Sequence, residues 1–349
     1  MRPSKDVREI VKWPRRLKLG CPLSVAQFGS GLYGNLRALK PLPWKLLEDE
    51  PPMNLAFTLS EFCDANCTFC CHRKTTPRNM MSYEVFRKAA SEYHDMGGTR
   101  IWLNAMTGEP LLDPLFFEKT SYLRSLGGFE SVTLTTNGIR MAKDHIVDSL
   151  IESGVTRILV STAGFEKEAY ERYMGVKRYD EFLSGLVKLL KRNIETGNHL
   201  DVQIEVRGVL DVLDTSDFNT KVLPLVKESK GKVTVNFLRL YTDWIGQVEE
   251  EGLPEHCGFS PRIRVSTSPC FLTFNLGVLA KGDLRLCNCN YGEKGRMDDL
   301  RVGNIMEGSL PEIWRSEFTK KVRRSTYGHD SNDMCRSCLI YSPLIRRFQ

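Results

Sequence analysis

From residue 53 onward the chain alternates short apolar runs with longer stretches of helical period. Runs at 55–59, 101–104, 131–136, 157–161, 202–210 and 232–240 have the length and β-branched content of strands. Stretches at 82–96, 115–126, 142–153, 179–195 and 216–228 repeat apolar residues at helical spacing. Six strand–helix units in succession predict an α/β fold, a parallel sheet with helices outside. Right-handed crossovers curl such a sheet, and six strands fall short of a closed eight-stranded barrel. A partial (βα)6 barrel with an open side is expected over 53–245.

Polarity within the strands adds a cavity. In the fifth run Val202, Ile204 and Val206 alternate with Gln203, Glu205 and Arg207. The apolar face meets helices, and the other face makes sense only along a polar lumen. Thr133 and Thr135, and Thr234 and Asn236, repeat the pattern more weakly. After residue 245 the alternation stops. A hairpin over 270–289 turning near Lys281-Gly282, and a helix over 309–324, are expected within a C-terminal unit spanning 246–349. Residues 1–52 read as a basic extension, with Arg15, Arg16 and Lys18 followed by Pro41, Pro43, Pro51 and Pro52, packed on the barrel rather than binding a peptide or a membrane.

Composition changes this picture little. Of 349 residues, 41% are hydrophobic and 26% charged, as in a protein that buries a core. The net charge of +6 leaves room for an acidic partner and does not imply nucleic acid. No apolar run approaches the ~20 residues of a membrane span, and the N-terminus lacks a signal-peptide core. A cytoplasmic enzyme is the default.

The eleven cysteines change it a great deal. Cys63, Cys67, Cys70 and Cys71 form one group; Cys257, Cys270, Cys287, Cys289, Cys335 and Cys338 form another; Cys21 stands apart. Two distant groups in a chain without an export signal point to metal ligation rather than disulfides. The first reads C-x3-C-x2-C directly after the first strand, where βα-barrel active sites lie. Three thiolates can hold three irons of a cubane and leave the fourth open. Structural zinc asks for four closed ligands, and His72 or Cys71 is the nearest candidate fourth, too close to Cys70 for easy geometry.

Cys63, Cys67 and Cys70, with Phe69 before the last cysteine, resemble the signature of the radical S-adenosylmethionine (SAM) superfamily. Thr107-Gly108-Glu109-Pro110 after the second strand resembles its GEP-type motif. The resemblance implies that SAM chelates the open iron of a [4Fe–4S] cluster and is cleaved to a 5′-deoxyadenosyl radical. It places Gly108, Glu109 and Pro110 at the SAM amino group. It places Thr135, Thr136, Asn137 and Ser161 near the methionyl or ribose parts, and Arg207 at the carboxylate. It also implies a reductase partner such as flavodoxin or ferredoxin.

Cys270, Gly282-x4-Cys287 and Cys335-x2-Cys338, with Val302–Ile305 and Pro311–Trp314, resemble the SPASM/twitch extension of the same superfamily. That resemblance implies a second [4Fe–4S] cluster on Cys270, Cys287, Cys335 and Cys338. Cys289 is an alternative to Cys287, Cys257 is a spare or a loop ligand, and a four-cysteine zinc knuckle is the competing reading.

Such a pair of clusters implies hydrogen abstraction from an unactivated C–H bond and a net oxidation, with the second cluster as electron acceptor. Glu205, Tyr241 and Asp243 are candidate bases by position. A small polar substrate is favoured over a ribosomally made peptide, because an arm of about 50 residues is short for a leader-binding domain. A molybdenum-cofactor cyclase is expected to carry its first cluster near the N-terminus and a terminal glycine pair, whereas this chain ends SPLIRRFQ. A cobalamin-dependent methylase needs a further domain. The non-enzyme readings are an iron–sulfur electron carrier and a zinc-binding structural protein.

Overall fold

A computed structural model describes residues 47–74, 78–104, 106–208, 213–261, 268–288, 299–328 and 331–342. Cys21, Cys289 and nearly all of the basic extension lie outside these. Six parallel strands carry the first unit: β1 (Leu55–Phe57), β2 (Arg100–Leu103), β3 (Ser131–Thr136), β4 (Arg157–Thr162), β5 (Asp201–Val206) and β6 (Val233–Phe237). They pair in sequence order, with Thr133 opposite Arg157 and Ser161 opposite Glu205. The sheet stays open rather than closing into a barrel.

The helices outside it are α1 (Tyr83–Asp95), α2 (Phe116–Leu126), α3 (Asp144–Glu152), α4 (Lys167–Met174), α5 (Tyr179–Glu195) and α6 (Leu223–Glu228). In α1, Ser82 caps the start by accepting from the Val85 N–H at 3.2 Å. Val85, Phe86, Ala89, Ala90 and Tyr93 then form one buried stripe. Phe86 lies 4.6 Å from Phe57 of β1, ring to ring. Truncating a buried Phe of this kind to Ala costs about 3–5 kcal/mol.

Four elements depart from expectation. Helix α4 is not among the expected helices: Glu166 accepts from Ala169 N–H at its start, and Gly175, left-handed at φ 68°, ends it. The helix expected over 216–228 opens with a π turn at Phe218–Val222. Pro224 has no N–H to donate and would press on the carbonyl one turn back, so the chain widens there. The helix expected over 309–324 is two, α7 (Leu310–Arg315) and α8 (Glu317–Arg324), divided at the extended Ser316 that caps the second. The last strand run splits into β6 and β7 (Leu240–Tyr241), which pairs in parallel with β8 (Gly258–Phe259).

The C-terminal unit joins the same sheet. Strands β9 (Leu276–Val278) and β10 (Asp283–Arg285) form the expected hairpin, and β11 (Arg301–Asn304) pairs with β10. Gly282 sits in its turn at φ 88°. Because β9 also runs parallel beside β1, with Leu55 opposite Leu276, one nine-stranded sheet of order β11-β10-β9-β1-β2-β3-β4-β5-β6 links the two cysteine groups. Helix α9 (Asp333–Ser337) closes the described chain. No helix among the described residues is long and apolar enough to cross a membrane.

Candidate functional site

The first cysteine loop leaves the C-terminal end of β1 and is sewn to its neighbours by backbone contacts. Glu61 N–H donates to Asn79 O, and Glu109 N–H donates to Phe62 O at 2.7 Å. Gly108 makes that second seam possible: its φ is 99°, and a Cβ there would lie 1.8 Å from the Ser60 carbonyl oxygen. On the other side Asn66 N–H donates to Met174 O and Thr68 N–H to Tyr173 O. A Cβ on Gly175 would meet the Asn66 carbonyl at 2.1 Å. Helix α4 therefore cradles the loop, and Met174 Sδ lies 3.8 Å from Cys67 Sγ.

Cys63, Cys67 and Cys70 are half-buried, whereas Cys71 is fully buried. Burial, with the Glu109 carboxylate adding to it, pushes the Cys63 thiol up to about 12. Burial raises Cys67 as well. Cys70 moves down, chiefly through a hydrogen bond from the Cys71 thiol. The His72 ring turns to the backbone instead, its Nε2 lying 2.9 Å from the Glu61 carbonyl oxygen. Among the described residues no three His, Cys, Asp or Glu side chains converge as ligands of a single metal ion. A cubane asks for a wider set, since each thiolate binds its own iron.

Glu109 is the hub behind the loop. Its carboxylate accepts from Thr136 Oγ1 (2.8 Å), Asn137 N–H (2.8 Å) and Leu111 N–H (3.1 Å). Only 1% of the residue is exposed, and burial outweighs these donors, pushing its carboxyl up to about 7. Pro110 opens the short turn 110–112 that Glu109 caps. Asn137 Nδ2 donates to Asp64 Oδ1 at 2.8 Å and lies 3.7 Å from Cys63 Sγ. Asp64 also pairs with Arg178 (3.1 Å) and Arg140 (3.3 Å). Sequence reasoning singled out Asn137 but not Asp64. Beneath the turn Lys119 and Asp113 form a buried pair at 2.6 Å.

Across the mouth, Arg207 follows β5 and makes three contacts. Its Nε donates to Ser161 Oγ at 3.1 Å, it pairs with Glu205 at 2.8 Å, and its guanidinium lies 5.6 Å from the Phe69 ring centre. Tyr241 packs 5.7 Å from Phe69. Its buried hydroxyl has no hydrogen-bond partner among the described residues, and burial holds the phenol well above its usual value. Thr135 accepts from Trp102 Nε1 at 2.8 Å. Asp243 is engaged in a turn, its carboxylate accepting from Ile245 N–H at 3.0 Å. The structure thus gathers Phe69, Ser161, Glu205, Arg207 and Tyr241 on one side of the thiols, and Gly108, Glu109, Pro110 and Asn137 on the other.

The second group is enclosed. Cys270, Cys287, Cys335 and Cys338 line one cavity with Leu272, Thr273, Leu300, Met334 and Tyr341. All four cysteines are buried. Burial raises the Cys270 thiol, with Cys287 and Cys338 adding to it, and raises Cys335 as well. Buried thiols in an apolar wall are held neutral unless something cationic faces them. Four such donors around one hollow fit an iron–sulfur cluster by the chemistry of the donor set. Cys257 is not among the lining residues.

An open parallel half-barrel bearing three thiols on its first loop defines a radical SAM domain, and residues 57–205 match the radical SAM superfamily. Residues 270–339 match an iron–sulfur cluster-binding domain, SPASM. The chain thus carries a radical SAM domain at 57–205 and a C-terminal SPASM domain at 270–339. Such a radical SAM domain works with SAM and a [4Fe–4S] cluster, and a SPASM domain implies additional iron–sulfur clusters.

A GTP 3′,8-cyclase of Actinobacillus succinogenes is 27% identical over 160 residues, 45% of this chain and 44% of that protein. This chain thus spans less than half the length of that relative. A GTP 3′,8-cyclase of Vibrio cholerae is 23% identical over 312 residues, covering 80% and 90%. Two solved structures share the fold. Streptococcus suis SuiB bound to the precursor peptide SuiA has a TM-score of 0.55 at 18% identity, covering 85% of this chain and 72% of that one. BtrN in complex with AdoMet and 2-DOIA has 0.52 at 14%, covering 82% and 92%.

Proposed function

We propose that this protein oxidises a small polar molecule, such as a sugar, aminocyclitol or nucleoside, at an unactivated C–H bond. One observation carries the reading: an open three-thiol loop at a polar mouth shares a sheet with a closed four-thiol cavity. When bound, the first cluster with SAM supplies hydrogen-atom abstraction, and the second supplies an acceptor for one electron.

The chain's own residues do the rest. Cys63, Cys67 and Cys70 hold the first cluster, and Cys270, Cys287, Cys335 and Cys338 the second. Glu109 acts by holding Thr136, Asn137 and the 110–112 turn in place against the loop, with one acceptor site on Oε2 left for the SAM amino group. Gly108 and Pro110 present the neighbouring backbone to the SAM amino group. Arg207, steadied by Ser161 and Phe69, receives the SAM carboxylate, and Thr135 and Asn137 line the remaining SAM contacts. The lumen-facing Gln203, Glu205, Thr234 and Asn236 bind hydroxyl and amino groups of the substrate. Glu205 accepts the proton released when the substrate radical gives up its electron. Tyr241, kept protonated by burial, donates a hydrogen bond rather than serving as the base, and Asp243 shapes its turn. The division at 53–245 and 246–349 follows the two sites, and a flavodoxin- or ferredoxin-type protein delivers electrons to the first.

Peptide modification is the second reading, favoured by the fold shared with SuiB, which was solved with its precursor peptide. The test is an anaerobic assay of 5′-deoxyadenosine formation against sugars, aminocyclitols, nucleosides, GTP and any peptide encoded beside this protein. Deoxyadenosine formed stoichiometrically with a two-hydrogen mass loss from a small polar compound supports the proposal. The same loss from the peptide, or cyclisation of GTP, overturns it.

A further inference from the structure

A buried charge that cysteine spacing does not predict lies against the wall of the second cavity. Arg285, the last residue of β10, is 0% exposed. One terminal nitrogen of its guanidinium donates to the Cys287 carbonyl oxygen, and the other lies 3.4 Å from Met334 Sδ. Both partners line the cavity. A guanidinium stays charged in a protein interior, and its desolvation is costly. The chain therefore accepts that cost beside a hollow lined by four thiols, Leu272, Leu300, Met334, Thr273 and Tyr341.

We infer that Arg285 is a tuning residue for the second cluster, a fixed positive charge that favours its reduced form and so raises its reduction potential. The inference rests on the second cluster proposed above. Reduction adds one electron, and so one negative charge, to a cluster in a low-dielectric pocket; a nearby cation stabilises that state more than the oxidised one. The effect runs in the direction an acceptor needs, because the electron comes from a substrate radical that has lost its proton to a base. A flavodoxin- or ferredoxin-type one-electron acceptor then withdraws the electron and restores the oxidised cluster. The role is electrostatic, and the hydrogen bond to Cys287 O serves to hold the charge in place.

The test is a potentiometric titration of the full-length protein with both clusters reconstituted, read by electron paramagnetic resonance. The signal that does not respond to SAM reports the second cluster. In R285Q and R285M the reduced-to-oxidised ratio at a fixed potential should fall on the order of tenfold, about 59 mV for a one-electron couple. R285K should stay close to the parent. An R285K shift equal to that of R285Q means geometry rather than charge and overturns the inference, as does an unchanged midpoint in both. If R285M fails to hold iron, the R285K and R285Q pair decides alone. Absence of any second cluster in the parent protein defeats the proposed electron-acceptor role together with the inference, whereas a present but unshifted cluster defeats the inference only.

Discussion

The two cysteine groups are built on opposite principles. The first has three half-buried thiols on a loop held by polar contacts: the Glu109 hub, the Asp64 pairs with Arg140 and Arg178, and the buried Asp113–Lys119 pair. The second has four thiols in a largely apolar wall, onto which the buried guanidiniums of Arg285 and Arg323 donate at the Cys287 and Thr273 carbonyl oxygens. A site that admits a cofactor and a substrate needs an open position and a rigid polar surround. A site that only exchanges electrons is better closed. That contrast in exposure and scaffolding is what supports, in the proposed function, chemistry at the mouth of the half-barrel and electron transfer at the cavity.

The largest effect that sharpens this contrast comes from C67A. It should abolish 5′-deoxyadenosine formation and remove about half of the reconstituted iron, about four of eight atoms if both clusters are cubanes. Next is C335A, measured by the same two assays. It should lose the other half of the iron and all substrate oxidation, while SAM cleavage continues uncoupled. Normal substrate turnover by C335A would falsify the acceptor role.

A smaller effect separates the scaffolds. K119M strands Asp113 as an unpaired buried charge and should cost about 3–5 kcal/mol in chemical denaturation. Most of that should return in the D113A/K119M pair, where neither charge remains. A full cost in the double variant would show that packing, not the ion pair, supports the turn beneath Glu109.

The smallest effect concerns pH. The Glu109 carboxyl is raised by burial from 4.5 to about 7, so the folded state holds its proton more tightly than the unfolded state. The stability it contributes is complete below about 4.5 and is lost as pH rises through about 7. In cluster-free protein, E109Q should flatten that part of the stability–pH curve by a few kcal/mol at most. An unaltered slope would place the titration elsewhere.

Much of this was legible in the sequence, because the half-barrel is made of locally patterned units. Val202, Ile204 and Val206 reveal the core face of β5 without any partner strand in view. The thiol loop was legible because C-x3-C-x2-C is contiguous. The parallel pairing of β9 with β1 was not: Leu55 and Leu276 are far apart in sequence, and nothing local in Leu276–Val278 names a partner. Arg285 was hidden for a different reason, since an arginine in a short strand ordinarily faces solvent. Helix α4 did carry a signal, in Tyr170, Tyr173 and Met174 at helical spacing before Gly175, but eight residues rich in charge make a short apolar stripe easy to pass over. Asp64 lay in plain view between two cysteines, and only the fold brings Arg140 and Arg178 to it.

The most direct measurement is an electron paramagnetic resonance titration of the anaerobically reconstituted, reduced protein with SAM. The account predicts about eight irons per chain and two cluster signals, of which SAM alters the one lost in C67A and leaves the one lost in C335A unchanged. A single signal, or a SAM response that survives in C67A, would contradict it.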